Sequence, residues 1–186
     1  MLHYDSFDEA LTLVARYGQK ALMTKLDIKD AFRLCPIRLE DREILGIDWQ
    51  GKVYIGLRLP FGLRSSPYLF NRLTDDFKWL LKNSYGIQDL MHYFDDYLTV
   101  GPAYSSVRVH NVKTILPVAS QVGIALAPNK FEGPTTRLVF LGISIDTNCM
   151  ETSLPDDKLQ ELISELQSCS TRNKCLKREL LSLVAN

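Results

Sequence analysis

The sequence has few cysteines and no excess of either charge. Its four cysteines, at positions 35, 149, 169 and 175, show no C-x-x-C spacing and no paired histidine ligands, so neither a zinc site nor a disulfide framework is indicated. Reduced thiols predict an intracellular protein of the cytoplasm or nucleus that is not secreted. The 22 basic and 22 acidic residues balance, which excludes binding of nucleic acid through overall positive charge but allows local basic faces.

Long apolar runs, internal repeats and low-complexity segments are also absent from the sequence. No stretch is long enough to cross a bilayer, so we expect no membrane partner. Asp5, Asp8 and Glu9 interrupt the start, which argues against a signal peptide. With 46% hydrophobic and 24% charged residues, the chain of 186 residues is expected to form one globular domain with a sizeable core.

Helix signals occur at five places along the chain. Residues Ser6 to Glu9 match the capping box S-x-x-E, and Gly18 is placed to end the helix that follows. Ser66 followed by Pro67 is typical of an N-cap and a first helical residue. The expected helices cover 6–17, 68–83, 105–122 with a break or kink at Pro117, 155–166 and 176–184.

Alternating or continuous apolar segments predict the strands. They cover 21–28, 44–49, 52–59, 138–145 and 150–154, and two more flank residues 93–96. Several of these segments follow each other closely enough to form hairpins. The expected fold class is α+β, with a mixed, mainly antiparallel sheet that is covered by two long helices on one face.

The most informative stretch is the tetrad Tyr93-Phe94-Asp95-Asp96, which lies between two apolar runs. This pattern predicts a β-hairpin with two adjacent carboxylates at its tip. Adjacent carboxylates repel each other, and hard oxygen ligands suit Mg²⁺, so a cation is expected there. An ordinary turn is the alternative, because aspartate is common in turns.

Asp27 is the third carboxylate of interest. It lies near the end of a predicted strand that is apolar for much of its length, where a charge needs a partner or a metal ion. Together with Asp95 and Asp96 it would supply the ligands for two Mg²⁺ ions about 3.5–4 Å apart, an arrangement that serves phosphoryl transfer. Asp30 competes for this role, but a turn or capping position explains it better.

Four blocks in this order resemble the motifs of a reverse transcriptase palm domain. They cover residues 26–33, 59–70, 93–96 and 140–142. The resemblance extends over nearly the whole chain and is closest to retrotransposon enzymes of the gypsy-like and DIRS-like kinds. It implies RNA-directed DNA polymerase activity, with an RNA or DNA template, a primer and deoxynucleoside triphosphates as partners and Mg²⁺ or Mn²⁺ as the cofactor.

The resemblance implies roles for the charged positions that match its motifs. Asp27, Asp95 and Asp96 would be catalytic metal ligands, and the backbone carbonyl of Ile28 would be a further ligand. Lys130 would lie near the triphosphate and donate a proton to the leaving pyrophosphate. A solvated charge is the alternative for Lys130.

Other matched positions would contact the nucleotide or the primer. Phe32 would lie against the sugar 2′ position and exclude ribonucleotides, with plain core packing as the alternative. Ile28, Ala31, Phe61 and Gly62 would complete the nucleotide site, since glycine lets the backbone approach a ligand closely. The residues expected at the primer and template are Pro67, Tyr93, Phe140, Leu141 and Gly142.

Two features depart from the family pattern. Phe94 occupies a tetrad position where smaller or aliphatic side chains are more usual, which would narrow the nucleotide site or alter fidelity. Only 26 residues precede Asp27, fewer than the fingers subdomain of the family needs. We therefore expect a palm over residues 1–153, the start of a helical thumb over 154–186, and fingers that are largely absent. The chain would then be either a fragment of a longer polyprotein, with fingers and RNase H segments elsewhere in it, or a degenerate element copy.

Two other functions stay open from the sequence. A palm remnant without catalysis would act as a nucleic-acid-binding or assembly module; the missing fingers favour it and the intact carboxylates oppose it. A nucleotide cyclase shares paired acids, but it explains neither the 59–67 segment nor 140–142.

Overall fold

The structure is a computed structural model that describes residues 4–103, 107–170 and 177. Its α-helices are α1 (Phe7–Tyr17), α2 (Ser66–Tyr85), α3 (Val107–Gln121) and α4 (Asp156–Ser170). Its strands are β1 (Leu22–Asp27), β2 (Gly46–Trp49), β3 (Lys52–Ile55), β4 (Leu90–Tyr93), β5 (Asp96–Gly101), β6 (Glu132–Thr135), β7 (Arg137–Phe140), β8 (Ile143–Asp146) and β9 (Glu151–Ser153). Short 3₁₀ helices cover Ala31–Leu34, Leu39–Leu45 and Pro128–Lys130.

The central sheet has four strands in the order β4-β5-β1-β6. The β2-β3 hairpin and the β7-β8-β9 meander form two separate sheets. Each strand pairing within the described residues is antiparallel. The predicted α+β class with mainly antiparallel pairing is therefore confirmed. No helix in the described ranges is long and apolar enough to cross a bilayer.

The central sheet buries an apolar core on each of its faces. Leu26 and Tyr97 pack with Ile115 in a core that is completed by α2 and α3. Met23 and Leu98 belong to a second core, formed with α1 and the β7-β8 hairpin. Neighbours such as Tyr97 and Leu98 enter different cores because side chains alternate along a strand. Packing on both faces holds the ends of β1 and β5 in a fixed position.

Four of the five predicted helices are present, with two local corrections. At α1 the capping box is present, with Ser6 and Glu9 each accepting a hydrogen bond from the other's backbone N–H. The predicted N-cap Ser66 is wrong by one residue, because Ser65 takes that position. Helix α3 continues through Pro117 without ending there. Pro117 is exposed, so water can serve the carbonyl that loses its helical donor.

The strand predictions need a larger correction at 138–145. This segment is a hairpin of β7 and β8, not one strand, and Leu141 and Gly142 form its turn with φ of 49° and 80°. The 44–49 and 52–59 strands are shorter than predicted, because a 3₁₀ helix fills Leu39–Leu45 and β3 ends at Ile55. The helix predicted over 176–184 lies outside the described residues apart from position 177.

Candidate active site

Three carboxylates gather at one end of the β1-β5 strand pair. Asp27, the last residue of β1, is the register partner of Asp96, the first residue of β5. Directly opposed residues in antiparallel strands have Cα atoms about 4.5–5.5 Å apart. The Ile28 N–H donates to the Asp95 carbonyl oxygen at 2.9 Å, which fixes the tetrad turn against the chain that leaves β1. Asp27 therefore lies beside the two tetrad acids, although it is far from them in the sequence.

A lysine lies against each of the two opposed acids. The Lys130 ammonium is 2.8 Å from Asp27 Oδ2, and Asp27 is only 5% exposed. The Asp27 carbonyl accepts from the Ala127 N–H at 2.8 Å, which brings the 3₁₀ turn of Lys130 to the end of β1. The hydrogen bond and charge of Asp27 raise the pKa of Lys130, which keeps the ammonium protonated.

The second lysine, Lys25, faces Asp96. Its ammonium lies 3.6 Å from Asp96 Oδ1 and 3.4 Å from the carbonyl oxygen of Val139 in β7. Lys25 and Asp27 are two positions apart in β1 and so lie on the same face of the sheet. This lysine links the acid cluster to the β7-β8 hairpin.

The two tetrad acids have pKa values above the usual range. Burial is the main cause for Asp95, and the negative charge of Asp27 adds to it. Burial is again the main cause for Asp96; the Lys25 ammonium opposes it, and the charges of Asp95 and Asp27 reinforce it. Negative charge is therefore crowded here, which is the condition that a divalent cation relieves.

The donor chemistry of this cluster fits a hard divalent cation, since all three side chains offer carboxylate oxygens. The side-chain arrangement is not a closed ligand set, because within the described ranges no three or more His, Cys, Asp or Glu side chains form a group able to hold a metal ion. The Asp27 carboxylate is instead paired with the Lys130 ammonium. The Lys130 side chain is 57% exposed.

Phe32 packs against two other aromatic rings. It belongs to the 3₁₀ turn that follows β1, after Asp30 and Ala31 with φ of 64° and 37°. Its ring centroid lies 5.0 Å from that of Phe61 and 5.3 Å from that of Phe70. Phe32 is half-buried, so part of the ring packs on the core and part faces outward.

The predicted nucleotide loop is exposed and precedes α2. Phe61 is 65% exposed, and Gly62 has a φ of 84° with open space around its α-carbon. The buried Ser66 hydroxyl donates to the Pro60 carbonyl at 2.6 Å and ties the loop to the start of the helix. Pro67 lies in the first turn of α2 and is half-buried.

The residues predicted at the primer lie on two hairpins. Phe140 is fully buried in the core below α1, while Leu141 and Gly142 form the turn of the β7-β8 hairpin and are half-buried. Tyr93 ends β4, next to the tetrad turn, and is half-buried. Lys25 contacts both Val139 of β7 and Asp96, so it joins the β7-β8 hairpin to the acids.

Residues 3–145 match the family described as "Reverse transcriptase (RNA-dependent DNA polymerase)". This chain belongs to the reverse transcriptase family. The family resemblance predicted from its motifs is therefore confirmed.

Relatives of this reverse transcriptase chain are long polyproteins. Polyprotein P3 of Commelina yellow mottle virus is 27% identical over 135 residues, which are 72% of this chain and 7% of the polyprotein. The retrovirus-related Pol polyprotein from transposon opus of Drosophila melanogaster is 27% identical over 167 residues, which are 90% of this chain and 16% of the polyprotein. The chain thus spans a small part of the relatives that it matches.

A solved structure shows the same fold. The foamy viral protease-reverse transcriptase in complex with RNA/DNA hybrid superposes with a TM-score of 0.75 at 22% identity. The match covers 94% of this chain and 22% of the foamy viral chain. The fold is therefore that of a reverse transcriptase palm.

Sequence reasoning missed three residues that lie at or beside this candidate site. Lys25 contacts Asp96. Because side chains alternate along a strand, its position two residues before Asp27 predicts that both lie on the same face of the sheet. Tyr4 packs on the tetrad, and Asp5 binds α2 and β4. Nothing in the local pattern around Tyr4 and Asp5 indicates these contacts, because both depend on tertiary packing.

Proposed function

We propose that this chain carries RNA-directed DNA polymerase activity: it adds deoxynucleotides to a primer 3′-hydroxyl in a reaction that depends on divalent cations. The single observation that carries the proposal is the register of Asp27 opposite Asp96, with Asp95 bonded through its carbonyl to Ile28. Membership of the reverse transcriptase family supports it.

The cation would be held by Asp27, Asp95, Asp96 and the backbone carbonyl of Ile28. When bound, Mg²⁺ or Mn²⁺ supplies charge neutralisation at the attacking hydroxyl and the leaving pyrophosphate. Asp95 and Asp96 are partly desolvated, and their negative charges repel each other. A bound cation would relieve this repulsion, which favours its binding. Two cations are the proposed number, by resemblance to the family.

Lys130 and Phe32 act directly on the nucleotide in this proposal. Lys130 leaves Asp27 when the cations bind, and its protonated Nζ then donates a proton to the pyrophosphate. Phe32 lies against the sugar 2′ position, where its ring leaves no room for a ribose hydroxyl. The packing of Phe61 and Phe70 on its ring keeps it in place. Ala31 and Gly62 complete the nucleotide site, where the exposed glycine lets the backbone approach the nucleotide closely.

The primer and template would lie between the two hairpins. Tyr93 and Pro67 would contact one part of the duplex, and the turn that follows Phe140, at Leu141 and Gly142, would contact the primer end. The complex of the foamy viral relative with RNA/DNA hybrid supports such a partner. In this proposal the palm covers 1–153, the segment 154–186 begins a thumb, and the protein acts inside the cell.

Primer extension tests the proposal. A homopolymer template with an annealed primer is incubated with deoxynucleotides and Mg²⁺ or Mn²⁺. The parent chain is compared with Asp95→Asn and with Asp8→Asn, a matched acid-to-amide control at an exposed position of α1. We expect extension by the parent and the control, and a loss of at least about 100-fold in Asp95→Asn, since a transition-state charge contact is removed.

The outcomes separate polymerase from palm remnant. Equal extension by Asp95→Asn and the parent would contradict the assignment of the site. Binding of primer–template without extension by any form would favour the remnant, which Lys130 on Asp27 and the open ligand set would then explain.

A further inference from the structure

The segment that precedes α1 contacts the catalytic turn. The Tyr4 ring centroid lies 4.7 Å from that of Phe94 and 5.7 Å from that of Tyr93. Tyr93 and Phe94 themselves meet edge to face at 5.2 Å. Tyr4 thus completes a cluster of three rings on the residue that directly precedes Asp95. Aromatic pairs of this kind favour defined relative orientations.

Phe94 needs support from outside its own turn. Its φ is 53°, in the left-handed region, where the Cβ of a non-glycine residue crowds the following backbone. Such a conformation persists only when surrounding contacts hold it. Tyr4 is one such contact, and the half-buried Phe94 packs with the α2–α3 core on its other side.

Asp5 anchors this segment beside Tyr4. Both of its carboxylate oxygens accept from the Lys78 ammonium of α2 at 2.9 Å, and one also accepts from the His92 backbone N–H of β4 at 3.0 Å. Burial raises the pKa of Asp5, but the Lys78 and His92 hydrogen bonds outweigh it and lower the net pKa, so the carboxylate stays charged. Charge-assisted bonds of this kind are among the stronger ones in proteins. The anchor therefore fixes Tyr4 relative to β4, the strand that leads into the tetrad.

We propose that Tyr4 and Asp5 are positioning residues of the active site. Asp5 fixes the segment on α2 and β4, Tyr4 packs on Phe94, and Phe94 holds the turn that presents Asp95. The inference rests on the proposed polymerase function, because it concerns the geometry of that site. It assigns a site role to a segment that lies before the first reverse transcriptase motif in the chain.

Kinetic variants test the proposal. Tyr4→Ala removes the ring, Tyr4→Phe keeps the ring without the hydroxyl, and Asp5→Asn removes the anchoring charge. Asp89→Asn is the matched control, because Asp89 accepts hydrogen bonds from Arg16 and Tyr17 at the other end of α1. In primer extension we expect kcat to fall at least about tenfold in Tyr4→Ala and about three- to tenfold in Asp5→Asn. Tyr4→Phe and Asp89→Asn should stay within about twofold of the parent, and KM for the deoxynucleotide should change less than kcat.

Two kinetic results would overturn the inference. One is a parental kcat in Tyr4→Ala; the other is a Tyr4→Phe variant as slow as Tyr4→Ala, since the ring contact would then be irrelevant. Circular dichroism at the assay temperature verifies that each variant is folded.

A second readout works without catalysis. Proteins labelled with ¹³C-phenylalanine give ring resonances, and a Phe94→Leu variant assigns the one from Phe94. Asp5→Asn should shift the Phe94 resonance, and Asp89→Asn should leave it in place. An unmoved resonance in Asp5→Asn overturns the positioning role. If the parent shows no primer extension while the resonance shifts as expected, the polymerase proposal fails and the anchor of Tyr4 on the turn stands.

Discussion

The Lys130 ammonium lies 2.8 Å from the Asp27 carboxylate, although 103 residues separate the two in the chain. Asp27 is almost fully buried and Lys130 is more than half exposed. The pair thus joins a buried carboxylate to an exposed ammonium group. In this structure the ammonium is the counter-ion of the buried carboxylate.

Lys130→Met is expected to destabilise the folded chain. It leaves the buried Asp27 without its ion partner, and because Lys130 is exposed we expect a cost of only about 1–2 kcal/mol in the free energy of unfolding. Urea unfolding in metal-free buffer measures it. Lys113→Met, at an exposed lysine of α3, is the control and should have little effect. An unchanged urea midpoint in Lys130→Met would mean that water stabilises the Asp27 carboxylate as well as the ammonium does.

Asp95→Asn is expected to stabilise the metal-free protein. The pKa of Asp95 is raised by folding, so the folded state binds this proton more tightly than the unfolded state does. The stability that this bound proton contributes is therefore present at acidic pH and is lost as the pH rises through the raised pKa of Asp95. At pH 7 the charge costs stability, and the amide removes that cost. Thermal unfolding at pH 7 should show a Tm a few degrees above that of the parent, and a lower Tm would contradict the prediction.

Added Mg²⁺ should raise the Tm of the parent protein. A ligand that binds only the folded state stabilises by about 2.7 kcal/mol at 100 times its Kd. The shift should vanish in Asp27→Asn, which removes a ligand oxygen charge, and should persist in Asp8→Asn. Equal shifts in all three proteins would indicate cation binding elsewhere on the chain.

Phe32→Ala is expected to admit ribonucleotides and to lower stability. The ring packs on Phe61 and Phe70, so its loss should cost about 1–3 kcal/mol in unfolding free energy. Under the proposed function, the preference for a deoxynucleotide over the matching ribonucleotide should fall by at least about tenfold in competitive primer extension. Phe32→Tyr keeps the ring and should retain the preference. Unchanged discrimination in the alanine variant would assign Phe32 to core packing alone.

Stability should fall between pH 7 and pH 5 because of His92. This side chain is 2% exposed, and burial, with help from the Lys78 ammonium, lowers its pKa from 6.5 to about 4, while the charge of Asp5 opposes the shift. Its ring stacks on Tyr97, and its Nε2 lies 3.6 Å from a carboxylate oxygen of Asp75. The unfolded state takes up a proton in this window and the folded state does not. The stability is thus complete above the unfolded pKa and is lost as the pH falls, by at most about 2 kcal/mol between pH 7 and pH 5.

A His92→Gln variant separates this histidine from other groups. Its urea midpoint should change less between pH 7 and pH 5 than the midpoint of the parent. Parallel pH dependence in the two proteins would assign the effect to the carboxylates instead.

Local patterns predict the elements whose signals lie within a few residues. The capping box at Ser6 and the apolar flanks of the tetrad give α1 and the β4-β5 hairpin where they were expected. The fold class also follows from such patterns. Asp27 stood out from the sequence because a charge at the end of an apolar strand is costly unless it has a partner.

Features that depend on tertiary packing were beyond this reasoning. The sequence does not predict the turn at Leu141, because a leucine rarely takes a positive φ. The apolar pattern of 138–145 therefore predicts a single strand. Tyr4 and Asp5 carry no local signal, since their partners lie in the tetrad, α2 and β4. Lys25 was accessible in principle, because it shares a strand face with Asp27.

The β2-β3 hairpin has a practical consequence for work on this chain. All eight of its residues are exposed, and they include Ile47, Trp49, Val53 and Tyr54 at 55–69%. In the described part of the chain each of these strands is hydrogen-bonded on one side only. A hairpin with exposed apolar side chains and unpaired strand edges can pair with the same hairpin of another molecule. Concentrated solutions should therefore lose protein by self-association at this hairpin while the palm itself is still folded.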